Sequence, residues 1–260
     1  MPDDWRPLVG PLAASALGDG ERVVFCHGFT QTSASWKPIA AQVAMLGYEA
    51  VVVDMPGHGG SAGVRTDLRL TADLLTSMFG RASYVGYSMG GRLCLHAALA
   101  YPGVVRRLAL IGANPGIVDD NARAERITGD EALAQEVLRD GVPAFLERWM
   151  SQPLFGGHEP DPADLAERSR NTAAGLASSL RLAGTGTQLS LWGRLPELTM
   201  PTLLLAGERD TKFVAIARQM AQLIPEAQFD SIADADHAAH LQQPAAVLAR
   251  LIPWLEIKRL

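Results

Sequence analysis

The sequence predicts an α/β fold: a mostly parallel sheet with helices on both faces and a helical block inserted late in the chain. Three observations lead there. Short β-branched runs alternate with segments that carry apolar residues at helical spacing. Those runs are apolar almost throughout, as strands are when helices cover both sides of a sheet. The alternation halts between Ala113 and Met200 and then resumes.

The elements follow in chain order. Residues 22–27 (RVVFCH) form a strand broken by Gly28, and residues 36–46 a helix stopped by Gly47. Residues 50–53 are a second strand, closed by Asp54 and the turn Pro56-Gly57-His58-Gly59-Gly60-Ser61. A helix over 71–79, a strand over 83–86, a helix over 90–100 and a strand over 108–111 come next. The Ala-, Arg-, Asp- and Glu-rich stretch that follows shows helical pattern and no convincing strand. Strands at 202–206 and 227–232 then alternate with helices at 214–223 and 245–255. With no repeats or low-complexity linkers, residues 1–112 and 200–260 are expected to form one core. Residues 113–199 are expected to form a helical cap inserted in it.

Composition narrows the function. The chain has 260 residues, is 48% hydrophobic and carries a net charge of −5. That excludes a general nucleic-acid binder, which needs a basic surplus. No run approaches the roughly 18 apolar residues of a membrane span, and Asp3 and Asp4 stand where a signal peptide carries positive charge. Cys26 and Cys94 lie in apolar runs, so they read as buried thiols in a reducing, cytoplasmic compartment. A monomer is expected, with a homo-oligomer as the alternative.

The chemistry is carried by Gly86-Tyr87-Ser88-Met89-Gly90, a G-x-S-x-G motif between a strand and a helix. A turn that tight leaves no room for side chains at Gly86 and Gly90. Ser88 is then held strained at a helix N-terminus, where backbone N–H groups favour negative charge. Such a nucleophile elbow needs an acid and a His later in the chain, in that order. Asp210 is the preferred acid, with Glu208 as the alternative. His237 is the preferred base, and His240 is expected to pack or cap the final helix. A metal site at His237-x-x-His240 lacks a third ligand, so no metal is expected. The N–H groups of Phe29 and Met89 are candidate oxyanion-hole donors. His27 reads as structural, hydrogen-bonded under its loop; His58, His96 and His158 have no partner that lifts them above surface or core residues.

With these residues in place, the chain from about Arg22 onward resembles the α/β-hydrolase superfamily. Within it, the chain is similar to the 2-succinyl-6-hydroxy-2,4-cyclohexadiene-1-carboxylate synthases of menaquinone biosynthesis. The stretches that carry this include His27-Gly28-Phe29-Thr30, the elbow extended through Gly91 to Arg92, and Asn114-Pro115-Gly116-Ile117. Phe145-Leu146-Glu147-Arg148-Trp149, Gly184-Thr185-Gly186-Thr187-Gln188 and His237-Ala238-Ala239-His240-Leu241 add to it.

The resemblance implies a lyase that removes a ring proton and expels pyruvate from an enolpyruvyl group, with no cofactor. The runner-up is a serine hydrolase, an esterase or a carbon–carbon bond hydrolase; a non-enzymatic ligand-binding relative is a third reading. The resemblance assigns Ser88, His237 and Asp210 to a triad. It assigns Tyr87, Arg92, Arg126, Trp149 and Arg168 to the binding of a polycarboxylate, with Arg123 and Arg170 as close competitors. Arginine suits planar carboxylates through its forked donors. Of 23 basic residues only Lys37, Lys212 and Lys258 are lysines, although a GC-rich genome alone would favour arginine. The chain departs from the family at Asp236, where Gly is usual, and at Leu189, where Pro is usual. It is also less basic than usual over 118–121.

Overall fold

The computed structural model describes residues 4–157 and 161–256; His158 and Lys258 lie outside them. Eight strands form one sheet: β1 (Arg6–Leu8), β2 (Ala14–Leu17), β3 (Glu21–Cys26), β4 (Tyr48–Val53), β5 (Ala82–Tyr87), β6 (Val105–Ile111), β7 (Thr202–Gly207) and β8 (Ala227–Ile232). Their order is β1-β2-β4-β3-β5-β6-β7-β8. The six strands from β3 onward are mutually parallel, whereas β1 and β2 add an antiparallel edge. Chain order reverses at β3, which has β4 on one side and β5 on the other. Open α/β sheets bind ligands beyond the carboxyl ends of strands at such a point.

Alternate residues of the buried strands feed two cores, as a two-residue pleat requires. On one face Val24, Cys26, Val51 and Tyr84 pack with helices α2 (Leu68–Phe79), α3 (Met89–Ala100) and α7 (Thr211–Leu223). On the other, Val23, Phe25, Val52 and Val85 pack with α1 (Lys37–Met45) and α9 (Pro244–Glu256). A one-turn helix, α8 (Ala239–Gln242), precedes α9.

Between β6 and β7 run α4 (Asp120–Met150), α5 (Pro162–Arg168) and α6 (Ala173–Ala183), with no strand among the described residues. α4 and α6 share a small core of their own that includes Val137, Phe145, Leu146, Leu176 and Leu180. α4 is broken at Gly141, whose φ of 78° leaves the helical region; Pro143, with no N–H to donate, follows at once. Asp119 caps the start of α4 by accepting from the Ala122 N–H at 2.7 Å, and Thr172 caps α6 through Gly175 at 3.0 Å.

The edge pair β1 and β2 was not expected. It is short, and Pro7 with Ala14, Ser15 and Ala16 gives little β propensity. Its register against β4 (Ala14 beside Val53, Leu17 beside Ala50) holds it in place.

Candidate active site

β5 ends at Tyr87 and α3 starts at Met89, so the whole reversal falls on Ser88. Its φ of 50° and ψ of −109° are strained for a residue with a Cβ, at a cost of about 1–3 kcal/mol. Two neighbours make the turn possible. A Cβ on Gly86 would lie 2.5 Å from the Gly90 carbonyl oxygen, and one on Gly90 2.2 Å from that of Cys26. The Ser88 N–H donates to the Ile111 carbonyl at 2.8 Å, which ties the elbow to β6.

The acid and the imidazole arrive from the ends of β7 and β8. Asp210 sits at the start of α7, where one carboxylate oxygen accepts from the Phe213 N–H at 3.3 Å. Its other oxygen lies 2.7 Å from His237 Nδ1, and His237 Nε2 lies 3.0 Å from Ser88 Oγ. Nδ1 therefore carries a proton toward the carboxylate, which leaves Nε2 to accept from the serine hydroxyl. Asp210 and His237 are 8% and 4% exposed, so this chain is shielded from water and its bonds are strengthened. Glu208 takes no part in it.

Ser88 and His237 open into a cavity of about 150 Å³. Phe29, Tyr87, Met89, Arg92, Arg126 and Trp149 all line it. Arg92 lies one turn into α3 and is 7% exposed. Its guanidinium donates to the carbonyls of Ala183 (2.8 Å) and Gly184 (3.3 Å) and to the Gln188 side chain (3.3 Å). It thus binds the end of α6 while facing the cavity. Burial, with help from Arg126, brings its pKa down to about 10, opposed by Asp130, so it remains a cation at neutral pH. Arg126 donates from Nε to Asp130 at 2.8 Å. Asp130, 2% exposed, also takes the Gly186 N–H at 3.2 Å.

Trp149 stacks near Phe145 at 5.9 Å and meets Phe29 edge-on at 5.0 Å. Its buried Nε1–H has no hydrogen-bond acceptor among the described residues. Burial raises the pKa of the Tyr87 hydroxyl, so it stays protonated.

Arg168 is the exception among the expected binding residues. It is 2% exposed and does not line the cavity. Its Nε donates to Asp164 at 2.6 Å, one helical turn back, and its NH1 to the Thr30 hydroxyl at 2.5 Å. These partners hold the guanidinium under the Thr30 loop, close enough to act electrostatically on Tyr87. Arg123 pairs with Asp120 within α4, Arg170 pairs from the turn after α5 with Glu167, and neither lines the cavity.

The other histidines are structural. His27 donates from Nδ1 to the Gly28 carbonyl (2.8 Å) and accepts at Nε2 from the Met55 N–H (2.9 Å). Burial lowers its pKa to about 4, with Asp54 opposing. His58 is lowered to about 3, first by burial and then by His27. His240 is sandwiched between Trp36 and Tyr87 at 4.5 and 4.2 Å and meets the Gln31 amide at 3.2 Å. Asp236 packs its carboxylate against Gly156, where a Cβ would come within 2.1 Å, and donates its N–H to Gln242 at 2.6 Å.

The cavity also contains residues that reading the sequence missed: Asn114, Asp130, Ser179, Lys212 and Phe213. Lys212 and Phe213 had a signal, since they directly follow the triad acid. Asp130 had one too, standing four residues after Arg126.

A mostly parallel sheet that presents Ser, His and Asp in hydrogen-bonded sequence defines a class, and comparison with known proteins agrees. The alpha/beta hydrolase fold family matches residues 21–244. A Salmonella typhimurium (strain LT2) 2-succinyl-6-hydroxy-2,4-cyclohexadiene-1-carboxylate synthase is 34% identical over 244 residues, 90% of this chain and 94% of its own. The solved structure of MenH from S. aureus superposes with a TM-score of 0.88 at 29% identity, covering 94% of this chain and 97% of that one. A malate-bound thermophilic esterase from Thermogutta terrifontis gives 0.82 at 25% identity, covering 94% and 92%. The chain belongs to the alpha/beta hydrolase fold family and, within it, to the 2-succinyl-6-hydroxy-2,4-cyclohexadiene-1-carboxylate synthases. Among the described residues, no helix is long and apolar enough to cross a membrane.

Proposed function

We propose that this chain eliminates pyruvate from 2-succinyl-5-enolpyruvyl-6-hydroxy-3-cyclohexene-1-carboxylate, giving 2-succinyl-6-hydroxy-2,4-cyclohexadiene-1-carboxylate in menaquinone biosynthesis. The observation that carries the reading is the presence of Arg92 and Arg126 in one cavity with Ser88 and His237. A plain esterase needs the serine and imidazole but not cations beside them. A substrate with several carboxylates needs both.

In this reading His237 draws the proton from Ser88 Oγ, and the oxygen takes a proton from a ring carbon. The freed electron pair becomes the new ring double bond as the bond to the enolpyruvyl oxygen breaks. The proton ends on the departing enolate, which becomes pyruvate, so substrate and products balance. Asp210 fixes the imidazole tautomer and supports its positive charge. The Phe29 and Met89 N–H groups serve as the oxyanion hole, while Arg92, Arg126, Tyr87 and Trp149 hold the substrate. Residues 113–199 act as the cap over a core of 1–112 and 200–260. Free, buried Cys26 and Cys94 support a cytoplasmic setting, and we take the enzyme to be a monomer.

The test is release of pyruvate from the synthetic enolpyruvyl substrate. Turnover that disappears in Ser88→Ala supports the proposal, and inertness of the wild-type protein refutes it. The likeness to the Thermogutta esterase supports a second reading as a serine hydrolase. Fast cleavage of short aryl esters without pyruvate release would select it.

A further inference from the structure

Three cations line the cavity, and two of them are already engaged. Arg92 donates to three acceptors around the end of α6, and Arg126 is paired with Asp130. The third, Lys212, is exposed, and among the described residues no carboxylate pairs with it. The Phe213 ring lies beside it, with the ammonium 5.8 Å from the centroid. Lys212 is also the second residue of α7. A cation there opposes the positive N-terminal end of the helix, and the carboxylate nearest in sequence, Asp210, is bound to His237. A cation set against the helix dipole, with an aromatic ring and no carboxylate as partner, is the kind of local conflict found at functional positions.

We propose that Lys212 is a substrate-binding residue that holds the carboxylate of the departing enolpyruvyl arm. This rests on the pyruvate-eliminating reading above. The assignment to that arm follows from the two kinds of cation present. Arg92 is buried and pinned by several bonds, which suits a carboxylate that stays with the ring. Lys212 is an exposed point charge on a flexible stem, and an ammonium of that kind can follow a fragment as it leaves. It stands two residues after the triad acid in the sequence and lines the same cavity as Arg92.

The test compares sodium pyruvate and sodium succinate on wild-type protein, Lys212→Gln and Lys212→Arg. Each salt is measured by calorimetry and as an inhibitor of enolpyruvyl turnover, followed by absorbance of the conjugated diene. The expected result is pyruvate binding weakened about tenfold in Lys212→Gln, succinate binding changed by less than about twofold, and recovery in Lys212→Arg. The melting temperature of Lys212→Gln should not fall, because the change removes a cation from a helix N-terminus. Unchanged pyruvate binding, or equal weakening of both anions, overturns the proposal. A lower melting temperature with intact anion binding also overturns it by showing a structural role. If the wild-type protein forms no diene, the proposed function falls, while calorimetry still decides whether Lys212 distinguishes the two anions.

Discussion

The two walls of the cavity are built by different means. The sheet wall takes Ser88, Asp210 and His237 from the ends of β5, β7 and β8, and backbone geometry places each of them. The helical wall takes Arg126 and Trp149 from α4, and the C-terminal end of α6 adds Ala183 and Gly184. Here side-chain ion pairs and one small apolar core do the placing. Arg92 belongs to the first wall and bonds to the second. On the proposed reading the chemistry resides on the sheet wall, and both walls share the binding of substrate.

The largest effect should come from the sheet wall. Ser88→Ala or His237→Ala is expected to cut turnover by about 10²–10⁴-fold, the range for removing positioned acid–base groups, with unchanged stability for Ser88→Ala. Relief of the strained serine conformation gives no compensation, because alanine at this φ is equally strained. Activity kept in Ser88→Ala would move the chemistry to the other wall.

Arg168→Ala separates architecture from binding. It leaves Asp164 without its buried partner, so stability should fall by about 3 kcal/mol in urea unfolding. Arg126→Ala leaves the buried Asp130 with only the Gly186 N–H, so stability should also fall, by about 3 kcal/mol, but here KM rises as well. A rise in KM for Arg168→Ala with intact stability would bring Arg168 back into the site.

Arg92→Ala tests the bridge between the walls. It removes charge-assisted bonds worth roughly 1.5–3 kcal/mol, so kcat/KM should fall about 10–100-fold. Lys at this position keeps the charge but cannot serve the Ala183 and Gly184 carbonyls in the same geometry, so it should recover only part of the loss. Full recovery would show that charge alone matters.

The same division explains what was legible in the sequence. The elbow is local: Gly86, Ser88 and Gly90 must be where they are because the backbone approaches within a Cβ's reach. A five-residue motif therefore reported a tertiary fact. Asp210 and His237 followed from chain order and strand ends. The arginines of the helical wall were harder. Arg126–Asp130 and Asp164–Arg168 have the same four-residue helical spacing, yet only the first faces the cavity. Periodicity cannot say which side of a short helix meets a pocket formed by another part of the chain. Lys212 was overlooked for the opposite reason: an exposed lysine on a surface helix looks ordinary until the cavity beside it is known.

Mild acid should act on one wall and spare the other. His27, His58, His96 and His240 all belong to the core, and among the described residues the inserted helices carry no histidine. Burial lowers the pKa of each, to about 4 for His27 and His96 and to about 3 for His58. Each ring is neutral when folded, but in the unfolded chain it takes up a proton near its ordinary value of 6.5. As pH falls through 6.5 the unfolded state binds more protons, so stability declines, and it goes on declining until the folded rings titrate. Between pH 6.5 and 5.5, His27 and His58 should each withdraw about 1 kcal/mol. Urea unfolding at the two pH values reads the sum. His58→Gln, which keeps a polar group between the Thr30 N–H and the Pro56 carbonyl, should flatten the slope. A slope that persists unchanged in that variant would overturn the share of the acid sensitivity given to His58.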